Sequence, residues 1–341
     1  MSRFMKKAAK PKPVVQEAEA PLVANQKLVA FRSLADVEKE VADARLSCGV
    51  ACATHTAKNW GARHENEDRT MTLRHNFGSM VYHTIGVLDG HDTEAASDFV
   101  SRQLPGYLEK HLKACRSVDQ AYHFAMSEVE DALKKVAATA GTCVCSCTVA
   151  GPYVWCANLG DCRCGLFVME VPDSPCAPTQ VKSVAWMSRD HKASAPEERR
   201  RIMDLGGVVT NGRVEGLEPT RTLGDFDVKL QTKPGVISIE PDVRCHRLGD
   251  GTISAQAIIV CATDGVWDAI SGQDICDLIL ARKEIAAIQV ALLQSASHSS
   301  SSAKPLRDLA EDLVQFAVAR GSHDDCTAVV ALVSVAPPSA K

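Results

Sequence analysis

Apolar and polar residues follow two different rhythms along this chain. Six runs rich in Val, Ile, Thr or aromatic residues predict β-strands: TMTLRHNF, MVYHTIGVL, GTCVCSCTVA, YVWCANL, AIIVCAT and CTAVVALVSV. Five stretches with apolar residues at helical spacing predict α-helices: TEAASDFVSRQL, DQAYHFAMSEVEDALKKVAATA, APEERRRIMDL, QDICDLILARKEI and KPLRDLAEDLVQFAVAR. The strands come in consecutive pairs with helices grouped between them. This order favours an α+β fold with layered antiparallel sheets.

Two segments lack such patterns. Residues 1–30, rich in Lys, Ala, Pro and Glu, predict a flexible arm, and residues 295–305 predict a Ser-rich loop between two helices. We expect the remainder, residues 31–341, to form a single domain. No run of 18 apolar residues occurs, so we expect no segment that spans a membrane.

The charge of the chain is unevenly distributed. The formal net charge is −4, and residues 1–12 carry five cations and no acids, which leaves −9 for the rest of the chain. An acidic body without a basic stripe and interleaved aromatics argues against nucleic-acid binding. The basic arm could dock on an acidic partner and anchor the protein to a larger assembly. The N-terminus has no apolar signal core and Ser at position 2, so we expect an intracellular monomer, cytoplasmic or nuclear.

The chain contains 14 cysteines. Cys143, Cys145 and Cys147 alternate along a strand-like run and therefore share one face. Free cysteine behaves as a small buried hydrophobe. Zinc sites usually need a second C-x₂₋₄-C pair, which is missing, so core packing is favoured and a metal or redox role is the alternative.

Acidic residues stand at the ends of several predicted strands. They are Glu67, Asp68, Asp89, Asp161, Asp264 and Asp324. Such residues can converge on one rim of a sheet, where their charges repel unless a cation neutralises them. An all-oxygen set without His or Cys suits Mg²⁺ or Mn²⁺. The glycines after Asp89 and Asp264 are expected to permit sharp turns that aim a carbonyl at the metal.

The motifs around these acids resemble those of the metal-dependent protein serine/threonine phosphatases of type 2C, the PPM family. They are GARHENEDRT, VLDGH, ANLGDCR, DHK…EERRRI, GGVV…GRVEGLEPTRTLGD, EPDV, TDGVWD and RGSHDDCTAVV. They cover residues 48–335 in the family's order. The resemblance implies a four-layer α/β sandwich: two packed antiparallel sheets flanked by helices, with a metal pair at one rim.

The resemblance also implies the metal ligands. Asp89 would bridge two Mg²⁺ or Mn²⁺ ions. Glu67 and the carbonyl of Gly90 would complete the protein ligands of one ion, and Asp264 and Asp324 would hold the other.

Further roles follow from the same resemblance. Asp161 and Asp268 match the positions of a weaker third ion, and Asp68 would accept a hydrogen bond from water at the metals. Arg63 would hold the substrate phosphate, and His91 would protonate the leaving serine or threonine oxygen. The implied reaction is in-line attack of water on a phosphoprotein, without a phosphoenzyme.

Other polar residues near these motifs have simpler interpretations. Arg213 and Arg221 are expected to brace turns, and Trp267 to lie in the core. Asp190 and His191 are expected to begin a capped helix that leads into EERRRI.

The chain departs from the family pattern in places. It has DGHDT where the family usually reads DGHGG, and DDCT where the family reads DN-x-T. Asp92 is expected to cap the following helix instead of joining the site. The extra acid at Asp325 could raise local repulsion and change the metal preference. Two other functions stay open: a phosphatase-like scaffold with weak or no turnover, and a metal-dependent phosphohydrolase acting on small molecules or nucleic acid.

Overall fold

A computed structural model describes residues 32–59, 64–294 and 303–338. Eleven strands occur in these ranges: Ser47–Ala57 (β1), Arg69–Phe77 (β2), Met80–His91 (β3), Gly141–Ala150 (β4), Tyr153–Leu159 (β5), Arg163–Met169 (β6), Val181–Trp186 (β7), Leu223–Gly224 (β8), Asp242–Arg247 (β9), Ala255–Ala262 (β10) and Cys326–Ala336 (β11). The same ranges contain nine α-helices: Leu34–Asp43 (α1), Ala95–Ala114 (α2), Val118–Leu133 (α3), Pro196–Asp204 (α4), Phe226–Gln231 (α5), Asp264–Trp267 (α6), Gly272–Ala281 (α7), Ile285–Gln294 (α8) and Lys304–Ala319 (α9).

The strands form two sheets in which every pairing between neighbours is antiparallel. One sheet has the order β1-β11-β10-β6-β7. The other has the order β2-β3-β4-β5-β9, with β8 added beside β4. The predicted α+β class with antiparallel sheets is therefore confirmed.

The molecule has four layers, two sheets between two groups of helices, and three hydrophobic cores lie between them. Leu104 on α2 and Met126 on α3 pack with Trp155 on the β2-β3-β4-β5-β9 sheet. Helices α6 to α9 cover the outer face of the other sheet. A third core fills the space between the sheets, which explains why all ten residues of β4 are buried.

The register brings several strand ends to one rim of the sandwich. The end of β3 lies beside the start of β4, where His91 is opposite Gly141. The end of β5 lies at the same edge, and the chain then crosses to the other sheet to begin β6 at Arg163. There Arg163 is opposite Ala262 at the end of β10. The acids that follow these strands are thereby directed to one place.

Some predicted segments fall on undescribed parts of the chain. The arm at residues 1–30 and most of the Ser-rich segment lie outside the described residues. The predicted loop was too long at one end, because α9 already begins at Lys304. Among the helices that the structure describes, none is long and apolar enough to cross a membrane.

Candidate metal centre

Three aspartates from different strand ends meet at the rim. Asp89 lies near the end of β3, Asp161 follows β5, and Asp264 begins α6 directly after β10. Each offers a carboxylate oxygen, and these oxygens all lie within 4.8 Å of one another. The two sheets thus both contribute to one acidic centre, as the strand-end pattern predicted.

The carboxylates of this centre are buried close together, and their negative charges repel one another. Burial raises the pKa of Asp89 well above its usual range, and the neighbouring carboxylates of Asp68, Asp264 and Asp161 raise it further. Burial, assisted by Asp161 and Asp324, raises the pKa of Asp264 to about 7. The charged form of each group is therefore disfavoured unless a cation lies between them.

The donor set fits a hard cation. The three aspartates offer only oxygen, the ligand atom that Mg²⁺ and Mn²⁺ prefer. Asp324 lies close enough to contribute to the raised pKa of both Asp89 and Asp264, and burial raises the pKa of Asp324 itself. Divalent cations would relieve this shared repulsion, so the residues present suit the ions that the sequence implies.

The glycines that follow Asp89 and Asp264 do not make the predicted sharp turns. Neither has a positive φ, because Gly90 lies within β3 and Gly265 within α6. A Cβ on Gly90 would lie 2.5 Å from the carbonyl oxygen of Glu67, and one on Gly265 would lie 2.1 Å from that of Asp325. Each glycine allows a neighbouring backbone to approach. The Gly90 contact brings Glu67 against the end of β3.

Asp68 lies buried behind the rim. Its Oδ2 accepts a hydrogen bond of 3.0 Å from the Thr263 hydroxyl. Burial raises the pKa of Asp68 to about 8, although hydrogen bonds from Thr327 and Thr263 favour the charged form. A cation at the adjacent rim would favour the charged form of this carboxyl group, which can accept hydrogen bonds.

Lys192 is a cationic neighbour of the acidic centre that sequence reasoning missed. Its Nζ lies 3.7 Å from Asp161 Oδ2, 3.7 Å from Asp264 Oδ2 and 3.5 Å from Asp268 Oδ2. Burial works against the charged ammonium, but these carboxylates raise the pKa of Lys192 above its ordinary value. Its ammonium therefore holds the two residues assigned to a third ion, Asp161 and Asp268. The DHK motif was the only signal for this lysine.

His91 belongs to a second arrangement that the sequence did not indicate. Its Nε2 lies 2.8 Å and 3.0 Å from the two carboxylate oxygens of Asp225. Asp225 is buried at the start of α5 and also accepts a 2.5 Å hydrogen bond from the Thr222 hydroxyl. Burial opposes the imidazolium, but the hydrogen bond to Asp225 outweighs it and raises the pKa of His91.

The carboxylate of Asp325 accepts hydrogen bonds from two backbone N–H groups. Its Oδ1 accepts a 2.7 Å hydrogen bond from the N–H of Asn59, and its Oδ2 accepts a 2.8 Å hydrogen bond from the N–H of Glu67. The neighbouring Asp324 in turn accepts the N–H of Asp325. Asp325 therefore fixes the backbone of a predicted ligand, Glu67. Arg63, between those two anchored residues, lies outside the described part of the chain.

Two capping predictions were wrong. Asp92 has φ 71°, which is not the extended conformation of an N-cap, and its carboxylate accepts a hydrogen bond from Thr139. The cap position of α2 is Glu94, which makes no side-chain cap hydrogen bond.

Asp190 and His191 do not begin a helix either. Asp190 holds Arg163 through two 2.6 Å hydrogen bonds, and α4 begins only at Pro196. His191 Nδ1 accepts the N–H of Gly160, and burial lowers the pKa of His191 to about 3. These residues brace the crossover that carries Asp161.

Three structural interpretations and the expected burial of the β4 cysteines agree with the structure. Arg213 and Arg221 donate to carbonyls in turns, and Trp267 is buried in the core. The cysteines of β4 are buried between the sheets, as their alternation predicted.

Comparisons with known proteins agree with this geometry. The family model described as Protein phosphatase 2C matches residues 54–326. The mouse (Mus musculus) protein named "Probable protein phosphatase 1N" is 30% identical over 265 residues, 74% of this chain and 57% of its own length. "Probable protein phosphatase 2C 54" of rice (Oryza sativa subsp. japonica) is 25% identical over 296 residues, 85% of this chain and 70% of its own. This chain thus spans little more than half the length of the mouse relative.

The fold is also similar to that of solved structures. A crystal structure of serine-threonine phosphatase 2C from Toxoplasma gondii superposes with a TM-score of 0.55 at 21% identity, over 83% of this chain and 95% of that one. The order of the acidic motifs, the paired sheets and the family match agree with one another. The chain belongs to the protein phosphatase 2C family.

Proposed function

We propose that this protein is a metal-dependent phosphatase that removes phosphate from phosphoserine and phosphothreonine in proteins. The observation that carries the proposal is the meeting of Asp89, Asp161 and Asp264 at one rim of the sandwich. A scaffold that only binds partners has no need to keep buried carboxylates whose charges repel. Membership of the protein phosphatase 2C family supports the same function.

Two Mg²⁺ or Mn²⁺ ions would be held by residues of this rim. Asp89 would bridge both ions, Glu67 and the Gly90 carbonyl would hold one, and Asp264 and Asp324 would hold the other. When bound, such ions lower the pKa of water and stabilise charge on the transferring phosphoryl group.

A weaker third ion would use Asp161 and Asp268. It would compete with the Lys192 ammonium, which lies within 3.7 Å of a carboxylate oxygen of both residues. Because one cation must replace another there, occupancy of this position is expected to need a higher metal concentration.

Two side chains would position the reacting groups, one the phosphate and one the water. Arg63 would hold two phosphate oxygens with its guanidinium fork. Asp68 would accept a hydrogen bond from the attacking water and orient it. Thr263 keeps the Asp68 carboxylate in place through its hydroxyl.

His91 would protonate the leaving oxygen of serine or threonine. An alkoxide is a poor leaving group, so proton donation lowers the barrier. Because Nε2 is engaged by Asp225, the transferable proton would be on Nδ1. Asp225 fixes the ring orientation and stabilises the imidazolium, which makes it a positioning residue that the sequence analysis did not identify.

The substrates would be intracellular phosphoproteins, in cytoplasm or nucleus. Residues 31–341 would act as one monomeric catalytic domain, and the basic arm at residues 1–30 would supply a docking segment for an acidic partner.

The test is release of phosphate from a phosphothreonine peptide. The full chain is assayed with Mn²⁺, with Mg²⁺ and with a chelator, next to Asp264→Asn. The control is Asp131→Asn, which removes an acid that is 76% exposed on α3. We expect metal-dependent release, a loss of roughly 100-fold or more in Asp264→Asn, and no change in the control.

Two results would oppose the proposal. One is phosphate release that does not depend on metal, or an Asp264→Asn variant as active as the wild type. Either would show that the carboxylate centre does not catalyse the reaction. A folded chain with no release on any phosphopeptide would favour the scaffold.

A further inference from the structure

Five cysteines meet between the two sheets, on the faces that form the inner core. They are Cys145, Cys147, Cys156, Cys164 and Cys261, and we call them the thiol cluster. Each is completely buried, and none forms a disulfide. The phosphatase function proposed above uses none of them.

The strand register explains how the thiol cluster forms. On one sheet, Cys147 of β4 is directly opposite Cys156 of β5. On the other, Cys164 of β6 is directly opposite Cys261 of β10. Residues directly opposite in a ladder point to the same face. Each sheet therefore presents one pair of thiols toward the other sheet.

The two pairs are in contact across the inner core. Cys147 Sγ lies 3.4 Å from Cys164 Sγ and 3.6 Å from Cys261 Sγ. On the same sheet as Cys147, Cys145 Sγ lies 3.8 Å from Cys156 Sγ. These separations exceed the S–S bond length of a disulfide, about 2.05 Å, so no two of these sulfurs are bonded to each other. Cys147, Cys156 and Cys164 each offer a sulfur within 4.8 Å of the other two.

These separations match those between sulfurs around a metal ion. Sulfurs bound at about 2.3 Å in a tetrahedron lie about 3.8 Å from one another. We propose that the thiol cluster binds one thiophilic ion, Zn²⁺ or Cu⁺, through Cys147, Cys156 and Cys164, with Cys261 as the fourth sulfur. Soft thiolate ligands select these two ions.

The proton balance of this binding is simple. Four thiols lose their protons to solvent as four metal–sulfur bonds form, and no electron is transferred. Binding therefore weakens as the pH falls. Because the thiol cluster is closed to solvent, the ion would enter while the chain folds. It would then connect four strands, β4, β5, β6 and β10, from both sheets.

Simple core packing is the competing explanation, since a buried thiol is a good small hydrophobe. Cys245 illustrates that case. It is buried in the core between the other face of its sheet and the helices α2 and α3, among apolar side chains. It provides a matched control for removing one buried sulfur.

The experiment measures metal uptake by the full chain. Wild type, Cys147→Ala, Cys164→Ala and Cys245→Ala are refolded under reducing conditions with a chelator, with Zn²⁺, or with Cu⁺. Excess metal is removed, and metal per chain is measured by elemental mass spectrometry. The carboxylate centre contributes equally to all four proteins, so the difference between them reports the thiol cluster.

We expect wild type and Cys245→Ala to retain one equivalent more of Zn²⁺ or Cu⁺ than Cys147→Ala and Cys164→Ala. The ion that is retained identifies the ligand. The midpoint of thermal unfolding should also rise with metal in wild type and not in Cys147→Ala. Equal uptake by all four proteins would overturn the proposal. Should the two variants fail to fold, wild type decides: thiolate charge-transfer absorption after refolding with Co²⁺, or one retained equivalent of Cu⁺, supports the site, and the absence of both excludes it.

Discussion

Removal of the charge on Glu198 should destabilise the protein by about 3 kcal/mol at neutral pH. This carboxylate on α4 accepts hydrogen bonds from Arg201, Arg221 and the Thr220 hydroxyl, at distances from 2.6 to 3.3 Å. Its side chain is 6% exposed, so water screens these contacts little. The substitution Glu198→Gln keeps the shape and removes the charge.

The magnitude follows from the pKa. Burial alone would raise the pKa of Glu198, but Arg221, Arg201 and Thr220 lower it from 4.5 to about 2. A difference of that size corresponds to about 3 kcal/mol of stability at pH 7. Because the folded pKa is the lower one, this stability is complete above the unfolded pKa and is lost as the pH falls. About 2.5 kcal/mol should remain at pH 4.

Urea unfolding at a series of pH values measures this difference. We expect the gap between wild type and Glu198→Gln to stay constant from pH 8 to about pH 5.5 and to shrink below about pH 4.5. Glu197→Gln is the control, since Glu197 is the next residue, 76% exposed and paired only with Arg189 in the described structure. It should change stability by less than about 0.5 kcal/mol. A gap below about 1 kcal/mol for Glu198→Gln at pH 7 would refute the reasoning.

Three further predictions concern the metal centre. Asp89→Asn should stabilise the metal-free protein by about 1 kcal/mol, because it removes a carboxylate that its neighbours repel. The same substitution should abolish the rise in unfolding temperature that Mn²⁺ causes. Calorimetry with and without Mn²⁺ measures both effects. Lys192→Met should lower metal-free stability by about 3 kcal/mol, since three carboxylates lose their cation, and titration calorimetry should show tighter binding of the weakest Mn²⁺. Gly90→Ala should cost about 1–3 kcal/mol in urea unfolding and weaken Mn²⁺ binding, because the new Cβ displaces the Glu67 backbone. Gly106→Ala, where a Cβ meets nothing within 4 Å, should not destabilise the fold.

Each of these predictions has a contrary outcome. An Asp89→Asn variant that still responds to Mn²⁺ would mean that this residue is not a ligand. Unchanged Mn²⁺ affinity in Lys192→Met would show that the Lys192 ammonium does not compete with the third ion. A Gly90→Ala variant as stable as wild type would show that the Glu67 backbone can move away from the added Cβ without cost.

Five of the six strands inside the sheets were predicted from the sequence, the exception being β6, and of the four strands at the sheet edges only β2 was. AIIVCAT and CTAVVALVSV are apolar throughout because β10 and β11 are buried on both faces. The edge strand β9 was missed because it mixes polar and apolar residues. Helix α1 was missed although Ser33 and Asp36 form a capping box at its start, a signal that the sequence does contain.

The sequence pattern around a residue did not predict its contacts with residues that are distant in sequence. The acids near the rim could be inferred because each stands at the end of an apolar run. No local pattern connects His91 with Asp225, or Lys192 with Asp268, because those contacts depend on how loops pack. The wrong caps at Asp92 and Asp190 have the same origin. An aspartate just before a helix resembles an N-cap in sequence, but here the carboxylate of Asp92 binds the Thr139 hydroxyl and that of Asp190 binds the Arg163 guanidinium.

The two hydrogen bonds of Asp325 have a mechanical consequence. The N–H groups of Asn59 and Glu67 are both bound by one carboxylate just before β11, so two backbone positions that are eight residues apart in sequence are held at the same point. An asparagine, which the family usually carries there, has a single acceptor oxygen beside a donating NH₂ group, so it would have to bind both N–H groups through that one oxygen. In this chain each N–H group has its own carboxylate oxygen. A change in the number of residues between Asn59 and Glu67 should therefore leave both anchored positions, and the sheet behind them, in place.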